Sequence, residues 1–203
     1  MSYTKKKQGL SVPDLISVGV FTALYFVIVT IATFSSGVLF AGFVYVLLPA
    51  WAALLSGSIY MLMTAKVQKF GAITIMGVVM GLFFFASGHF VLSFAANIVC
   101  GVAADLVAKA FDYRNKKGIL LSYIIFSFGL TGPVLPMWFM KSAYVANLES
   151  RGKDAEFINN MFAHINMGTF ALAVVAIVVY ATVGGLFGQK MMKKHFEKAG
   201  IIG

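Results

Sequence analysis

The sequence predicts an all-α integral membrane bundle of six transmembrane helices, with both termini in the cytoplasm. Apolar residues make up 60% of the 203 residues and charged residues only 11%, against about 25% charged residues in a soluble domain. Long uncharged segments match the roughly 20 apolar residues that a spanning helix needs. These segments are continuous rather than alternating, which excludes a β-barrel. The length suits one domain over residues 1–203.

The charged residues delimit the six predicted helices. The segment between Asp14 and Lys66 holds two helices with a turn near 35–37, and the segment between Lys69 and Asp105 holds two more, broken at 87–89. The segment between Lys117 and Lys141 and the segment between Glu156 and Lys190 hold one helix each. The predicted ranges are 12–34, 39–64, 70–87, 90–109, 118–140 and 165–188.

Two prolines and a polar segment mark the outer face of the predicted bundle. Pro133 and Pro136 are expected to break the fifth helix near its outer end, because proline lacks an N–H donor and clashes with the preceding turn. The outer loop at 141–164 is predicted to fold partly as helix and to form a lid over an outer pocket.

The distribution of basic residues predicts the orientation. Of the 16 Lys and Arg residues, 13 fall on the side of the termini. The other side holds only Lys141, Arg151 and Lys153. The positive-inside rule therefore places both termini in the cytoplasm of a multi-pass cell-membrane protein. Topology and the anionic lipid bilayer account for the net charge of +9, so nucleic-acid binding is not needed to explain it.

Several functional classes lack their motifs in this sequence. It contains no Walker A motif, no HExxH and no GxSxG. Asp105 is the one acidic residue expected inside a span, paired with Lys109 at the cytoplasmic edge. A membrane enzyme acting on a lipid or an isoprenoid would have only His89, His164 and Asp105 available. His89 and Asp105 are roughly 24 Å apart along one helix and cannot share a site.

Polar or small residues recur at four-residue steps through the fourth predicted helix: His89, Ser93, Asn97, Gly101 and Asp105. One interpretation is helix packing, since small residues let membrane helices approach closely. The other is that His89, Ser93 and Asn97 line a pocket open to the outside. A buried amide has up to four hydrogen bonds to satisfy, so Asn97 contacts either a ligand or a neighbouring helix.

Three further candidates lie on the outer face. His164 opens the sixth predicted helix with Asn166 close by, and Trp138 ends the fifth. The two histidines are either interfacial residues or ligand contacts. Trp138 either belongs to an aromatic belt at the membrane surface or lines the pocket.

The basic N-terminus, the stretch LISVGVFTALYFVIVTIA and the six short spans resemble the substrate-binding S components of energy-coupling factor (ECF) transporters. The segment SVGVFTALYFVI is most similar to the Trep_Strep group of that class. The resemblance implies a non-enzymatic subunit that captures a micronutrient and associates with a T subunit and two ATPase subunits. Gly19 and Ala23 match the spacing of the AxxxA motif that contacts the T subunit, with Gly in the first position.

The resemblance also implies a class of substrate, haem or a related tetrapyrrole. The protein itself would need no cofactor or metal. His89 would ligate the haem iron, since histidine is a common axial ligand, with His164 or a methionine as the second ligand. Lys141, Arg151 or Lys153 would meet the propionates. The alternatives are a vitamin or vitamin precursor oriented by Asn97, and a structural subunit that binds no small molecule.

Overall fold

The computed structural model describes residues 9–192, and this part of the chain is helical without strands. The prediction of an all-α fold is confirmed for this range. The predicted cytoplasmic residues Lys5–Lys7, Lys193, Lys194 and Lys198 lie outside it. The helices are α1 (Val12–Phe40), α2 (Val44–Lys66), α3 (Ala72–Ala86), α4 (Leu92–Ala110), α5 (Lys116–Ser127), α6 (Pro136–Phe139), α7 (Lys141–Ser150), α8 (Ala155–Phe162) and α9 (Met167–Met191).

Four helices in the described range are long and apolar enough to cross a membrane: α1, α2, α4 and α9. The apolar helix α3 has 15 residues. At about 1.5 Å per residue it rises roughly 22 Å, less than the ~30 Å hydrocarbon core of a bilayer. Helix α5 has 12 residues and is shorter still. The described range therefore has four helices of membrane-spanning length, and α3 and α5 are shorter helices of the same bundle.

The predicted turn at 35–37 is wrong, because α1 continues to Phe40 and the chain turns at Ala41–Phe43. The Ser35 hydroxyl donates to the carbonyl of Ile31 at 2.8 Å, and Ser36 bonds back within the same helix. Serine hydroxyls satisfied in this way do not interrupt a helix. Trp51 of α2 also donates its indole N–H to the Ser35 hydroxyl at 2.9 Å.

The fifth predicted helix, 118–140, is interrupted, as the prolines indicate, but the interruption begins earlier than predicted. Helix α5 ends at Ser127, and a 3₁₀ turn at Phe128–Thr131 follows. Gly132 packs directly on α4, where an added Cβ would lie 2.6 Å from the Ser93 Cα. The chain after the break therefore packs backbone to backbone on α4.

Helix α2 lies at the centre of the bundle and packs against α1, α5 and α9. Glycines form its contact with α9. A Cβ added to Gly57 would lie 2.3 Å from the carbonyl carbon of Gly184, a distance that no side chain tolerates. Small residues allow such close approach between membrane helices. On the α5 side, the hydroxyls of Tyr60 and Ser122 are 2.6 Å apart.

The bundle has two chemically different ends. The "basic end" contains the connections 67–71 and 111–115. The "capped end" contains the connections 41–43 and 87–91 and the segment 132–166, in which α7 and α8 form a helical cap. The prediction of helix in the outer loop is confirmed by α7 and α8.

Asp105 is fully buried at the basic end, and its expected pairing with Lys109 is wrong. Its carboxylate accepts hydrogen bonds from the Gly71 N–H, the Thr74 N–H, the Thr74 hydroxyl and the Tyr113 hydroxyl, at 2.7 to 3.0 Å. The Lys109 Nζ instead lies 4.8 Å from the centre of the Phe70 ring. The first turn of α3 offers free N–H donors, and these satisfy a buried carboxylate.

Candidate functional site at the capped end

The cap is held to the bundle by its own apolar cluster, separate from the main core. Its buried members are Val134, Met137, Leu148, Ile158 and Met161. Tyr144 of α7 connects the cap to the 87–91 connection. Its ring centre lies 6.1 Å from that of Phe90 in this connection and 6.2 Å from that of Phe162 in α8. The Lys141 Nζ lies 5.0 Å from the centre of the Phe162 ring. Side-chain contacts therefore close the cap over the 87–91 connection.

His89 lies under the cap, in the connection between α3 and α4, and is half-buried. Its Nδ1 is 3.2 Å from the carbonyl oxygen of Phe84. Because a carbonyl only accepts, this contact assigns the proton to Nδ1 and leaves the Nε2 lone pair free. Burial lowers the pKa of His89, opposed by the Phe84 hydrogen bond and reinforced by the Arg151 charge. The neutral ring is therefore the favoured form.

Arg151 approaches the same connection from the end of α7. Gly88 has a φ of 77°, in the left-handed region that favours glycine. A Cβ added at Gly88 would lie 3.8 Å from the Arg151 Cζ and Nη2. The guanidinium group therefore lies against the backbone beside His89, and glycine leaves it that space.

Ser93 and Asn97 are buried between α4 and the break that follows α5. The Asn97 amide donates to the carbonyls of Ser93 at 2.8 Å and Gly129 at 3.0 Å. The buried Ser93 hydroxyl has no hydrogen-bond partner in the described part of the chain. Both donors of the Asn97 amide are thus used within the protein, and its interhelical bond ties α4 to the 3₁₀ turn.

Trp138, His164 and Asn166 gather around the connection between α8 and α9. The Trp138 indole donates to the backbone carbonyl of Asn166 at 3.0 Å. The Asn166 side chain caps α9 by accepting from the Thr169 N–H at 3.0 Å. The exposed His164 ring stacks on Phe43 with ring centres 4.6 Å apart and planes 16° apart.

The structure therefore divides the predicted site residues into three sets. Within residues 9–192, no hydrogen bond or ring contact joins the Trp138 set to His89. Ser93 and Asn97 form the second set, inside the bundle. The same part of the chain holds no group of three or more His, Cys, Asp or Glu residues suited to a metal ion.

Gly19 and Ala23 lie elsewhere, on an exposed groove between α1 and α3. The groove has a volume of about 270 Å³ and is almost entirely apolar. An added Cβ at Gly19 would meet nothing within 4 Å. Its walls are formed by Leu15, Gly19, Thr22, Ala23, Phe26, Ile75, Val79, Met80 and Phe83. The apolar helices α1 and α3 thus leave an open groove on the outside of the bundle.

Comparison with known protein families identifies the type of protein. The model of the Trep_Strep family, described as a hypothetical bacterial integral membrane protein, matches residues 12–198. The chain belongs to the Trep_Strep family. Searches of curated proteins and of solved structures found no match. Membership in this family agrees with the four spanning helices, and this Trep_Strep protein is a multi-pass integral membrane protein.

Sequence reasoning missed two residues of this Trep_Strep protein, Tyr144, which lies near Phe90 and Arg151, and Tyr45, which lies near Tyr144. Both pack against the apolar cluster of the cap. Burial raises the pKa of Tyr144, with the Tyr45 hydroxyl raising it further and the Arg151 charge lowering it. Tyr144 is the one aromatic residue in α7. That isolated aromatic was the available signal, whereas Tyr45 is one apolar residue among many in α2.

Proposed function

We propose that this Trep_Strep family member is the substrate-binding S component of an ECF-type importer. It would capture a micronutrient from outside, with haem or a related tetrapyrrole as the first candidate. Energy would come from a partner T subunit and two ATPase subunits, so the chain itself is not an enzyme.

The observation that carries this proposal is the groove containing Gly19 and Ala23. An exposed Gly flanked by apolar side chains lets a second helix approach the backbone closely, the usual basis of helix association in membranes. The groove lies on the outer side of α1, where a partner in the bilayer can reach it.

The proposed topology has six passes. Helix α3, and α5 together with the broken segment to α6, would complete the four long spans. Both termini would lie in the cytoplasm, because the basic end carries Lys66, Lys69, Lys109 and Arg114, whereas the capped end carries Lys141, Arg151 and Lys153. The cap would then face the outside, where the substrate arrives.

The haem proposal is supported by the chemistry of His89. Haem-binding histidines ligate iron through one ring nitrogen and commonly donate the other N–H to a carbonyl or carboxylate. His89 has that arrangement, with Nδ1 on the Phe84 carbonyl and Nε2 free. The Phe84 and Phe90 rings beside it suit a flat apolar ligand.

The competing proposal of a lipid or isoprenoid enzyme is less well supported. His89 lies at the capped end, whereas Asp105 lies at the basic end, where its carboxylate already accepts four hydrogen bonds. A general acid or base needs a reactive partner within hydrogen-bond distance, and these two residues are at opposite ends of α4.

Co-purification tests the partner proposal. The Gly19→Leu variant fills the groove, so it should lose at least about 90% of its co-purification with co-expressed T and ATPase subunits. Gly37→Leu is the matched control, since Gly37 is also exposed in α1 with nothing within 4 Å of an added Cβ. It should retain the complex. Wild-type recovery of the ATPase subunits with Gly19→Leu would contradict the proposed docking surface.

Absorption spectroscopy tests the substrate proposal. Purified protein mixed with haemin should show a shifted Soret band, and His89→Ala should remove that shift. His164→Ala is the control at the same end, because His164 lies apart on Phe43 and should leave most of the shift. Absence of a shift with wild-type protein would exclude haem as the substrate and favour a vitamin or vitamin precursor.

A further inference from the structure

Three side chains with unused hydrogen-bond donors lie near one another at the capped end, close to the 87–91 connection. The donors are the Arg151 guanidinium and the hydroxyls of Tyr144 and Tyr45. Arg151 lies against Gly88, Tyr144 lies against Phe90, and Tyr45 packs on the same cap cluster as Tyr144. Within residues 9–192, none of these three polar side chains makes a hydrogen bond. Helix α2 and helix α7 with its C-terminal end therefore bring these unsatisfied donors close together.

Within residues 9–192, no carboxylate forms an ion pair with Arg151. The cap contains Glu149, Asp154 and Glu156, yet within the described range none of them approaches the guanidinium to 4 Å. A guanidinium has five N–H donors in a planar fork that matches a carboxylate. An exposed arginine that lies against the Gly88 backbone without an acidic partner can pair with an anion from outside the protein.

The surroundings favour a carboxylate over a phosphate. Phosphate sites usually add backbone N–H groups or a second cation to the arginine. Here the N–H groups of Gly88 and His89 are already bonded to the carbonyls of Phe85 and Phe84, each at 3.0 Å. The flanking side chains Phe90 and Phe162 are apolar. Lys141 lies over the Phe162 ring rather than against Gly88, so Arg151, two phenolic donors and the Phe90 ring suit a monoanion on an apolar body.

We propose that this cluster binds the carboxylate group of an apolar or aromatic organic acid, with Arg151 as the ionic partner and the Tyr144 and Tyr45 hydroxyls as hydrogen-bond donors. Calling that acid the transported substrate rests on the proposed function, whereas the binding site itself does not. His89 Nε2, which is free, would then contact the body of the ligand rather than its acidic group.

Chemical modification of the wild-type full chain tests the site without knowledge of the substrate. Phenylglyoxal reacts with exposed guanidinium groups, and peptide mass spectrometry follows Arg151 and Arg114 separately. At about three times its half-effect concentration, benzoate should slow modification of Arg151 roughly fourfold. Benzyl alcohol, the uncharged counterpart, should not slow it. Arg114 at the basic end is the internal control and should react at an unchanged rate.

Variants then assign the donors. Tyr144→Phe and Tyr45→Phe keep the ring packing and remove one hydroxyl each, so each should raise the half-effect concentration of benzoate roughly fivefold. Tyr180→Phe is the matched control, because Tyr180 lies in α9 away from the cap cluster. This variant should leave the half-effect concentration of benzoate unchanged.

Three results would overturn the inference: no protection of Arg151 by benzoate, equal protection by benzyl alcohol, or protection by inorganic phosphate alone. Failure of the proposed function gives a different pattern. In that case the T and ATPase subunits would fail to co-purify, while benzoate would still protect Arg151.

Discussion

At the scale of single residues, Asp105 shows how this bundle accommodates a buried charge. A carboxylate removed from water is costly unless several donors satisfy it. Asp105 receives donors from the start of α3 and from Tyr113. Tyr113 has a φ of 56°, and Asp112 before it has a φ of 51°, so two successive residues adopt the left-handed conformation. The hydrogen bond to Asp105 helps to hold this unfavourable turn.

We predict that Asp105→Asn lowers the free energy of unfolding by about 2–3 kcal/mol, because charged hydrogen bonds become neutral and one amide donor faces the Tyr113 hydroxyl. Denaturant unfolding in detergent measures the change. Asp112→Asn is the control, since Asp112 is exposed and asparagine tolerates the left-handed region. It should change stability by less than about 0.5 kcal/mol. Equal losses in the two variants would show that the Asp105 bonds contribute little.

At the scale of elements, α2 and α9 are packed backbone to backbone. Gly57 of α2 faces Gly184 and Gly188 of α9. An added Cβ at any of the three would lie under 3.0 Å from backbone atoms of the other helix. Dispersion contacts and exclusion of lipid stabilise such an interface, and a methyl group is enough to separate the helices.

We predict that Gly57→Ala lowers the free energy of unfolding by about 2–3 kcal/mol, the usual cost of overpacking a core. Gly37→Ala should instead leave it unchanged or raise it by up to about 1 kcal/mol, since alanine is the better helix former and Gly37 faces open space. Thermal unfolding followed by circular dichroism compares the two. A stable Gly57→Ala protein would mean that α2 and α9 can shift apart without loss.

At the scale of the whole molecule, the protein consists of a bundle with a helical cap at one end. The main core and the cap have separate apolar clusters. The cap joins the bundle through Tyr144, whose ring lies near Phe90, through Tyr45 of α2, which packs on the cap cluster, and through the α8–α9 connection. Its two helices meet at Gly152, which has a φ of 73° and open space around it. Such an arrangement is suited to a lid that closes on a bound ligand.

We predict that haemin slows tryptic cleavage at Lys153, because a ligand under α7 and α8 stabilises the closed cap. Cleavage at Arg114, at the basic end, should keep its rate and serves as the control. Gel electrophoresis with and without haemin measures both rates. If haemin shifts the Soret band but leaves the rate of cleavage at Lys153 unchanged, the cap is a passive loop.

The sequence alone was sufficient for the helical membrane class, because composition and uncharged segments report burial in lipid directly. It was insufficient where tertiary contacts override local rules. The predicted pairing of Asp105 with Lys109 followed helix periodicity, but donors at the start of α3 satisfied the carboxylate instead. The proximity of Arg151 to Gly88 joins residues far apart in the chain, and no local pattern indicates which loops meet at the end of a bundle.

The bend at Gly152 also has a consequence for imaging. The helical bundle and its cap, residues 9–192, offer little mass outside a detergent micelle for particle alignment in electron cryomicroscopy. Gly152 joins two helices at an exposed site with open space around it, and such sites tolerate insertions well. A rigid fiducial domain fused in frame with α7 and α8 would therefore project from the cap, and its angle to the micelle would record the position of the cap in every particle.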